Sequence, residues 1–277
     1  MLCFLFFNGL MQGAEMVSTK SEQSAGLFVG VGKFGFQAGL ENLEYAPDDA
    51  VALAYRLVVE LKMVPPAKAQ VVLAGEPKSV RGRKQLAELK ATKLEVVEGT
   101  RNGLQKALRK FSNQAEAGGL ALMSFSGHGY ETQKDVYLMP SDGNWQLVRT
   151  TGVSCESVWD AMRASKARTK VLLLDACRQV PDMASLEREA ADKGIRERVQ
   201  GIEGLTILAS CSAGQRSWQA KSLEQGVFTH LVLERLKGEG IWWVTLGDQV
   251  VKANVEWFEK REMKGPVAWC HESRRTK

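Results

Sequence analysis

Short apolar runs alternate along the chain with segments in which apolar residues recur at helical spacing. Five continuous runs are rich in Val, Leu and Ile, as expected for strands buried on both faces, and they occupy residues 27–31, 70–74, 120–125, 170–174 and 205–209. A shorter run at 136–139 predicts a hairpin strand at an edge. The alternation predicts an α/β fold, in which an open, mostly parallel β-sheet is flanked by helices on both faces (an α/β/α sandwich).

The clearest helix follows Pro47. Proline and the two acids after it suit the first turn of a helix, because proline lacks an amide hydrogen and the helix dipole favours negative charge there. Shorter apolar faces predict helices near residues 104–111, 158–162, 228–236 and 246–257. The apolar face of the first helix comprises Ala50, Leu53, Ala54, Leu57, Val58 and Leu61.

The length of 277 residues is compatible with one α/β domain. We expect a single domain over residues 25–262 with a charged linker at 178–204, preceded by a leader (1–24) and followed by a basic tail (263–277). The leader is apolar but has no Lys or Arg before Lys20, so it is interpreted as a disordered tail, a weak signal-like segment or a start assigned too early. We therefore expect a cytoplasmic protein, with a secreted or periplasmic one less favoured.

Composition and charge narrow the classes of partner. With 44% hydrophobic and 25% charged residues, the chain has ordinary globular composition, and no apolar run approaches the roughly 18 to 20 residues that span a bilayer. The formal net charge of +5 is mildly basic. The densest basic stretch, residues 78–93, has no interleaved aromatic residues for base stacking, which favours a solvated surface. We expect neither a nucleic acid nor a membrane as partner.

The cysteines and histidines are few. Five cysteines form an odd set without a CxxC pair, which argues against a disulfide framework and a structural zinc site, so a functional cysteine should be a free thiol. Cys155 and Cys211 are interpreted as small buried hydrophobic residues. His230, within an apolar helix, is interpreted as structural, and His271 in the basic tail as solvated.

The first strand ends in a glycine pattern, Gly30-Val31-Gly32-Lys33-Phe34-Gly35, that satisfies GxGxxG. A dinucleotide site also needs a helix that begins at these glycines, because the helix N-terminus binds the pyrophosphate. The next helix opens only near Pro47, so we expect no nucleotide here.

Two other strands run directly into residues that can carry chemistry. Residues 120–125 are followed by Ser-Gly-His-Gly with His128 between glycines, and residues 170–174 lead to Cys177. Ligands bind at the carboxyl ends of strands in an open parallel sheet, so on neighbouring strands the imidazole and the thiol would meet at one edge. A thiolate attacks where a thiol does not, so a nearby imidazole must raise the thiolate fraction and later protonate the leaving amine. We therefore predict a hydrolase with a Cys177/His128 dyad, and we expect the amides of Gly129 and Cys177, left unpaired at turns, to form the oxyanion hole.

The separation of the two residues, 177 − 128 = 49, resembles that in caspases, whose histidine lies about 50 residues before the nucleophile. The chain resembles the caspase superfamily of cysteine peptidases, and more closely its bacterial caspase-like (orthocaspase) and metacaspase branches. The resemblance covers about residues 27–258 and includes SFSGHGY, VYLMPSD, LLLDACR, ILASCSAGQRSW and GVFTHLVLERLKG. It implies His128 as general base and acid and Cys177 as nucleophile, with no chemical cofactor.

Substrate preference is inferred at the positions where the chain departs from aspartate-cutting caspases. Asp175 stands two residues before Cys177, where those caspases have glutamine, and Gln219 replaces an arginine of their first pocket. The resemblance to metacaspases places Ser126 and Asp49 in the same pocket, although Asp48 could take the place of Asp49 and leave Asp49 at the helix start. Carboxylates favour a guanidinium or ammonium group, so the predicted partner is a protein or peptide substrate cut after Arg or Lys.

Three of the candidate pocket residues also have a purely structural interpretation. Trp218 is interpreted as the wall of a neighbouring subsite, or alternatively as a core residue. Asp175 could instead orient a loop, and Asp49 could serve only the helix dipole.

The resemblance also suggests two means of regulation, which are self-cleavage in the charged linker and activation by calcium. In this superfamily the corresponding linker is often cut by the enzyme itself, which predicts self-processing after a basic residue of the linker. Metacaspases are often activated by calcium, but no carboxylate cluster is evident and Asp142 alone is not one, so no metal site is assigned. The candidate linker residues are Arg178, Arg188, Lys193, Arg196 and Arg198.

Two rival hypotheses remain. The first is a catalytically silent caspase-like module that binds a partner as a scaffold. The second keeps the enzyme but changes its specificity to acidic or small residues. Oligomeric state and physiological substrate are not predicted by the sequence.

Overall fold

The computed structural model describes residues 21–35, 39–132, 135–179, 195–212, 214–237 and 242–273, with the backbone alone for 177–179. Its centre is a mostly parallel sheet with strand order β11-β8-β7-β4-β1-β2-β3. The main strands are β1 (Ala25–Val31), β2 (Ala69–Ala74), β3 (Glu95–Glu98), β4 (Leu120–Glu131), β7 (Thr169–Gln179), β8 (Leu205–Ala209) and β11 (Trp269–Glu272). The short strands are β5 (Val136–Leu138), β6 (Val153–Ser154), β9 (Gln219–Ala220) and β10 (Gln225–Gly226).

Helices cover both faces of this sheet. Helices α3 and α5 pack on one face, where Leu104, Phe111 and Trp159 join the core, and helices α1, α6 and α7 pack on the other. The predicted α/β class is therefore confirmed. The described helices are α1 (Ala46–Tyr55), α2 (Val80–Ala91), α3 (Arg101–Gln114), α4 (Val148–Thr151), α5 (Cys155–Ala164), α6 (Val227–Arg235) and α7 (Trp243–Glu259), with a π-helical turn at Arg56–Glu60 and a short helix at residues 195–199.

The glycines after β1 have a packing role. A Cβ at Gly30 would collide with the carbonyl group of Ala46, and one at Gly32 would collide with the carbonyl oxygen of Leu43. These two glycines of the GxGxxG pattern therefore let the start of α1 and the loop before it approach the end of β1 closely.

Strands β4 and β7 extend further than the sequence predicts. Both were expected to end near residues 125 and 174, yet the ladder between them continues from Ser126–Asp175 to Tyr130–Gln179. Strand β4 also pairs with β5 as an antiparallel hairpin at Gly129–Leu138, as predicted for that edge. The expectation that Gly129 and Cys177 lie in turns is therefore wrong, because hydrogen bonding to neighbouring strands keeps this chain extended.

Both edges of the sheet contain strands that the sequence pattern does not reveal. Strand β3 pairs in parallel with β2, and its residues are mostly exposed, so it lacks the apolar run of a buried strand. Strand β11 pairs antiparallel with β8, so residues 269–272, within the stretch interpreted as a basic tail, add a strand to the sheet. His271 belongs to β11 and is half-buried, which corrects its interpretation as a solvated residue; burial lowers its pKa.

Within the described part of the chain, no helix is long and apolar enough to span a lipid bilayer.

Candidate active site

The two central strands of the sheet bring the predicted dyad together. Strands β4 and β7 are parallel neighbours, and His128 is in register with Cys177. The next pair in the same ladder is Gly129 with Arg178. The backbone positions of the two predicted reactive residues are therefore adjacent across one strand pair.

The His128 imidazole is oriented by a loop that precedes α1. Its Nε2 atom lies 2.8 Å from the carbonyl oxygen of Glu41, and since a carbonyl only accepts, Nε2 carries the hydrogen. In the neutral ring the lone pair is then on Nδ1, which is buried and makes no hydrogen bond to any described group. The ring of Phe34 packs against the imidazole, with centroids 5.0 Å apart. Burial lowers the pKa of His128, which favours the neutral ring, with its free proton acceptor, at neutral pH.

Asp49, in the first turn of α1, lies against the end of β4. The Ser126 hydroxyl donates to its Oδ2 at 2.8 Å, and the amide of Gly226 donates to its Oδ1 at 2.9 Å. Asp49 has no exposed surface. Ser126 and Asp49, predicted to share a pocket, are therefore in direct contact.

Asp175, two residues before Cys177 on β7, is the second buried carboxylate. Its Oδ1 accepts a short hydrogen bond from Ser217, and its Oδ2 accepts from both the hydroxyl (2.8 Å) and the amide (3.2 Å) of Thr229. Only 6% of Asp175 is exposed. This carboxylate therefore joins β7 to the segment after β8 and to the start of α6.

Asp49 and Asp175 meet at Gly226. A Cβ built on Gly226 would lie 2.5 Å from Asp175 Oδ2 and 2.9 Å from Asp49 Oδ2, so both carboxylates border the same small space. Burial raises the pKa of both carboxyl groups, and the negative charge of Asp175 further raises the pKa of Asp49. Among the described side chains, none forms an ion pair with either acid. We call Asp49 and Asp175 the acidic pair.

Asp48 has a different role. It accepts hydrogen bonds from the amides of Lys78 (2.7 Å) and Ser79 (3.0 Å) and from the Ser79 hydroxyl. Ser79 in turn caps α2 by accepting from the amide of Gly82. Of the two alternatives left open by the sequence, Asp49 faces Asp175 and Asp48 holds the start of α2.

Trp218 directly follows Ser217, the residue whose hydroxyl donates to Asp175. Its carbonyl accepts from the amide of Val227, and its ring packs edge-on against Phe258 with centroids 5.8 Å apart; the residue as a whole is 41% exposed. This exposure excludes the alternative of a core tryptophan. Its assignment to a subsite remains a prediction.

Sequence reasoning assigned no role to four residues of this site. Glu41 acts through its backbone carbonyl, which no side-chain pattern reveals, and Gly226 acts through its lack of a side chain. Ser217 and Thr229 lie inside the motifs SAGQRSW and GVFTHL, where a hydroxyl near a predicted buried acid could have been noticed.

Parts of the charged linker lie within the structure. Arg198 forms an ion pair with Asp135 at 2.9 Å, and the guanidinium of Arg196 lies over the Trp269 ring at 5.5 Å. Arg188, Lys193 and the side chain of Arg178 lie outside the described residues.

In the ranges that the structure describes, no group of three or more His, Cys, Asp or Glu side chains could hold a metal ion.

The acidic pair leads to a prediction about stability. Because the pKa of Asp49 is raised in the folded state, its favourable contribution is complete below the unfolded pKa of about 4 and is lost as pH rises through the folded pKa. Asp49→Asn cannot ionise, so we expect its melting temperature to exceed that of the wild type by a few degrees at neutral pH and to match it near pH 4. Thermal unfolding across this range measures the difference. A variant less stable by the same amount at every pH would show that lost hydrogen bonds outweigh the charge.

Comparison with known proteins is consistent with this geometry. Residues 24–274 match the family model described as the caspase domain. No curated protein shows a significant match to the chain. Because the matched region covers most of the sequence, the chain belongs to the caspase domain family of cysteine peptidases.

Proposed function

We propose that this protein is a cysteine endopeptidase that cleaves peptide bonds after Arg or Lys. The observation that carries the proposal is the register of His128 with Cys177, combined with the hydrogen bond that fixes Nε2 of His128 on Glu41. That bond leaves Nδ1 as the proton acceptor of a neutral imidazole, which is the form that a general base needs.

The proposed reaction has two stages. His128 removes the Cys177 proton, the thiolate attacks the scissile carbonyl, and His128 then protonates the leaving amine to give an acyl-enzyme. Water, deprotonated by the same imidazole, hydrolyses the thioester and regenerates the thiol. The amides of Gly129 and Cys177 are the proposed oxyanion donors. Both belong to the paired part of β4 and β7, so oxyanion binding requires these amides to be free of the ladder.

The proposed specificity rests on the acidic pair. Two buried carboxylates without a described cationic partner are a costly arrangement, and a guanidinium or ammonium group would supply the missing charge. The Ser126 hydroxyl lies beside them and offers a further polar contact. Because both acids are buried, a substrate side chain reaches them only when the surrounding segment moves. A carboxylate side chain would add a third negative charge and should be rejected.

Self-processing is part of the proposal. Arg196 and Arg198 lie in the short helix at 195–199 and contact Trp269 and Asp135, whereas a peptidase requires an extended, accessible segment. Arg188 and Lys193 lie outside the described residues and stay predictions for the cleavage site. Mass spectrometry of active enzyme after long incubation tests this, and an intact chain would contradict it.

The test of the proposed function is hydrolysis of matched fluorogenic peptides ending in Arg, Lys, citrulline or Asp, with and without calcium. We expect cleavage of the Arg and Lys peptides, poor cleavage of the citrulline peptide, which has Arg's shape without its charge, and none of the Asp peptide. Cleavage after Asp in place of Arg would reject the pocket. No cleavage under any condition would favour the scaffold hypothesis.

Thiol reactivity separates a latent enzyme from a scaffold. An activated Cys177 should react with iodoacetamide near neutral pH much faster than the thiols of Cys155, Cys211 and Cys270. Cys155 and Cys211 are buried, as expected, and burial raises the pKa of Cys270 to about 12. If Cys177 reacts no faster than Cys270, the activated dyad is contradicted.

A further inference from the structure

The acidic pair can bind a cation only if it carries negative charge. Burial raises the pKa of both acids, and their proximity adds to the effect at Asp49, so the pair tends to hold protons. Hydrogen bonds donated to a carboxylate oppose this tendency because they stabilise the ionised form. The donors around the pair therefore decide how strongly it can bind a basic side chain.

Thr229 is the residue that donates twice. Its hydroxyl and its amide both reach Asp175 Oδ2, at 2.8 and 3.2 Å. Burial raises the pKa of that carboxyl group, and the hydrogen bond from Ser217 and then both hydrogen bonds from Thr229 lower it. Thr229 is 2% exposed, so water does not readily replace the hydroxyl as donor. It lies in the first turn of α6, where the helix dipole also favours an anion.

Among the residues that the structure describes, the other charged groups near the pair do not supply the missing positive charge. On α1 the neighbouring acid Asp48 is negative and raises the pKa of Asp49. The positive charge of Arg216, which precedes Ser217, lowers the pKa of His128. The negative charge of Glu224, which precedes β10, raises the pKa of Tyr45. On α6, His230 lies 3.6 Å from Glu234, and burial lowers its pKa.

We propose that Thr229 is a specificity-determining residue of the basic-residue pocket, because its hydroxyl and amide keep the Asp175 carboxylate ionised and oriented beside Asp49. Thr229 is a positioning residue that acts through Asp175. This inference rests on the proposed function, in which Asp175 binds the substrate cation.

A purely structural role would have different consequences. Helix α6 has Gly226 at its N-cap and no capping side chain of its own, so Asp175 also serves as a cap when it accepts from the Thr229 amide. Removing the Thr229 hydroxyl leaves this amide contact in place. A structural loss would lower the yield of folded enzyme equally for every substrate, whereas loss of charge stabilisation affects cationic substrates and depends on pH.

The experiment compares Thr229→Val, which keeps the shape but loses the hydroxyl, with Thr229→Ser, which keeps the hydroxyl. We expect Thr229→Val to reduce the ratio of kcat/KM for Arg over citrulline peptides by about tenfold or more, the usual effect of one hydrogen bond to a charged group. The pH at which this ratio reaches half its maximum should move upward, since fewer donors raise the pKa of the acid. Thr229→Ser should stay within about threefold of the wild type.

Thr206→Val is the matched control, because Thr206 is a buried threonine on β8 away from the acidic pair. It should leave the Arg to citrulline ratio and its pH profile unchanged. If Thr229→Val lowers both peptides equally, or leaves the ratio and its pH midpoint unchanged, the role of Thr229 is overturned.

A second measurement does not depend on catalysis. Carboxyl ¹³C resonances of the full-length Cys177→Ala protein report the titration of Asp175 directly, and Thr229→Val should raise its pKa relative to wild type and Thr229→Ser. An unchanged titration overturns the inference. If the wild type shows no preference for Arg over citrulline, the proposed function fails instead, while the titration still decides whether Thr229 controls Asp175.

Discussion

Replacing Cys177 with alanine should lower kcat/KM for Arg peptides by roughly 10⁴-fold or more, because it removes the thiol proposed to form the covalent intermediate. His128→Gln should cause a loss of similar order, since the thiol would then lack its proton acceptor. The two losses should not add in the double variant, because nucleophile and base act as one unit. Initial-rate kinetics on purified variants measures all three.

Cys155→Ala provides the matched control. This thiol is buried in the core at the start of α5, outside the proposed dyad. We expect Cys155→Ala to retain activity within a few-fold of the wild type. Residual activity of Cys177→Ala above about one hundredth of wild type would reject Cys177 as the nucleophile, and circular dichroism would show whether the variant is folded.

The second large effect concerns the acidic pair. Asp175→Asn should lower kcat/KM for Arg and Lys peptides by roughly a hundredfold, because it removes the buried carboxylate that we propose pairs with the substrate cation. Hydrolysis of the citrulline peptide should change little. Asp49→Asn should likewise lower hydrolysis of the Arg and Lys peptides and leave that of the citrulline peptide nearly unchanged. It should also stabilise the fold at neutral pH. Activity and stability would thus move in opposite directions, as expected for a site that holds buried charge for binding.

Ser112→Ala is a suitable control for substitution of a buried polar residue, because Ser112 lies in α3 far along the chain from the pocket. It should leave the preference for Arg unchanged. If Asp175→Asn lowers hydrolysis of Arg and citrulline peptides equally, Asp175 orients the loop and α6 rather than the substrate. That result would support the alternative in which specificity lies elsewhere.

The apolar pattern of the chain was enough to predict the class of fold and the position of most central strands. Continuous apolar runs predicted β1, β2 and β8 to within two residues, because a strand buried on both faces needs apolar side chains at every position. The face of the helix after Pro47 is likewise buried, apart from its last residue, Leu61. The order of the motifs around His128 and Cys177 predicted the family.

Pairing and hydrogen bonding over long sequence separations could only come from the tertiary structure. The edge strands β3 and β11 are stabilised by one neighbour each, so their sequences need not show a buried pattern. The continuation of β4 and β7 depends on the ladder between them and on the hairpin with β5.

The details of the site depended even more on tertiary contacts. Adjacent acids in one helical turn look alike in sequence, and only the packing of α1 shows that Asp48 bonds to Ser79 while Asp49 meets Ser126. Thr229 is 54 residues from Asp175 along the chain, and no local pattern joins them. The sequence supplied the chemical groups, whereas the fold decided which of them share a buried space, and burial is what shifts their pKa values and gives them a specific role.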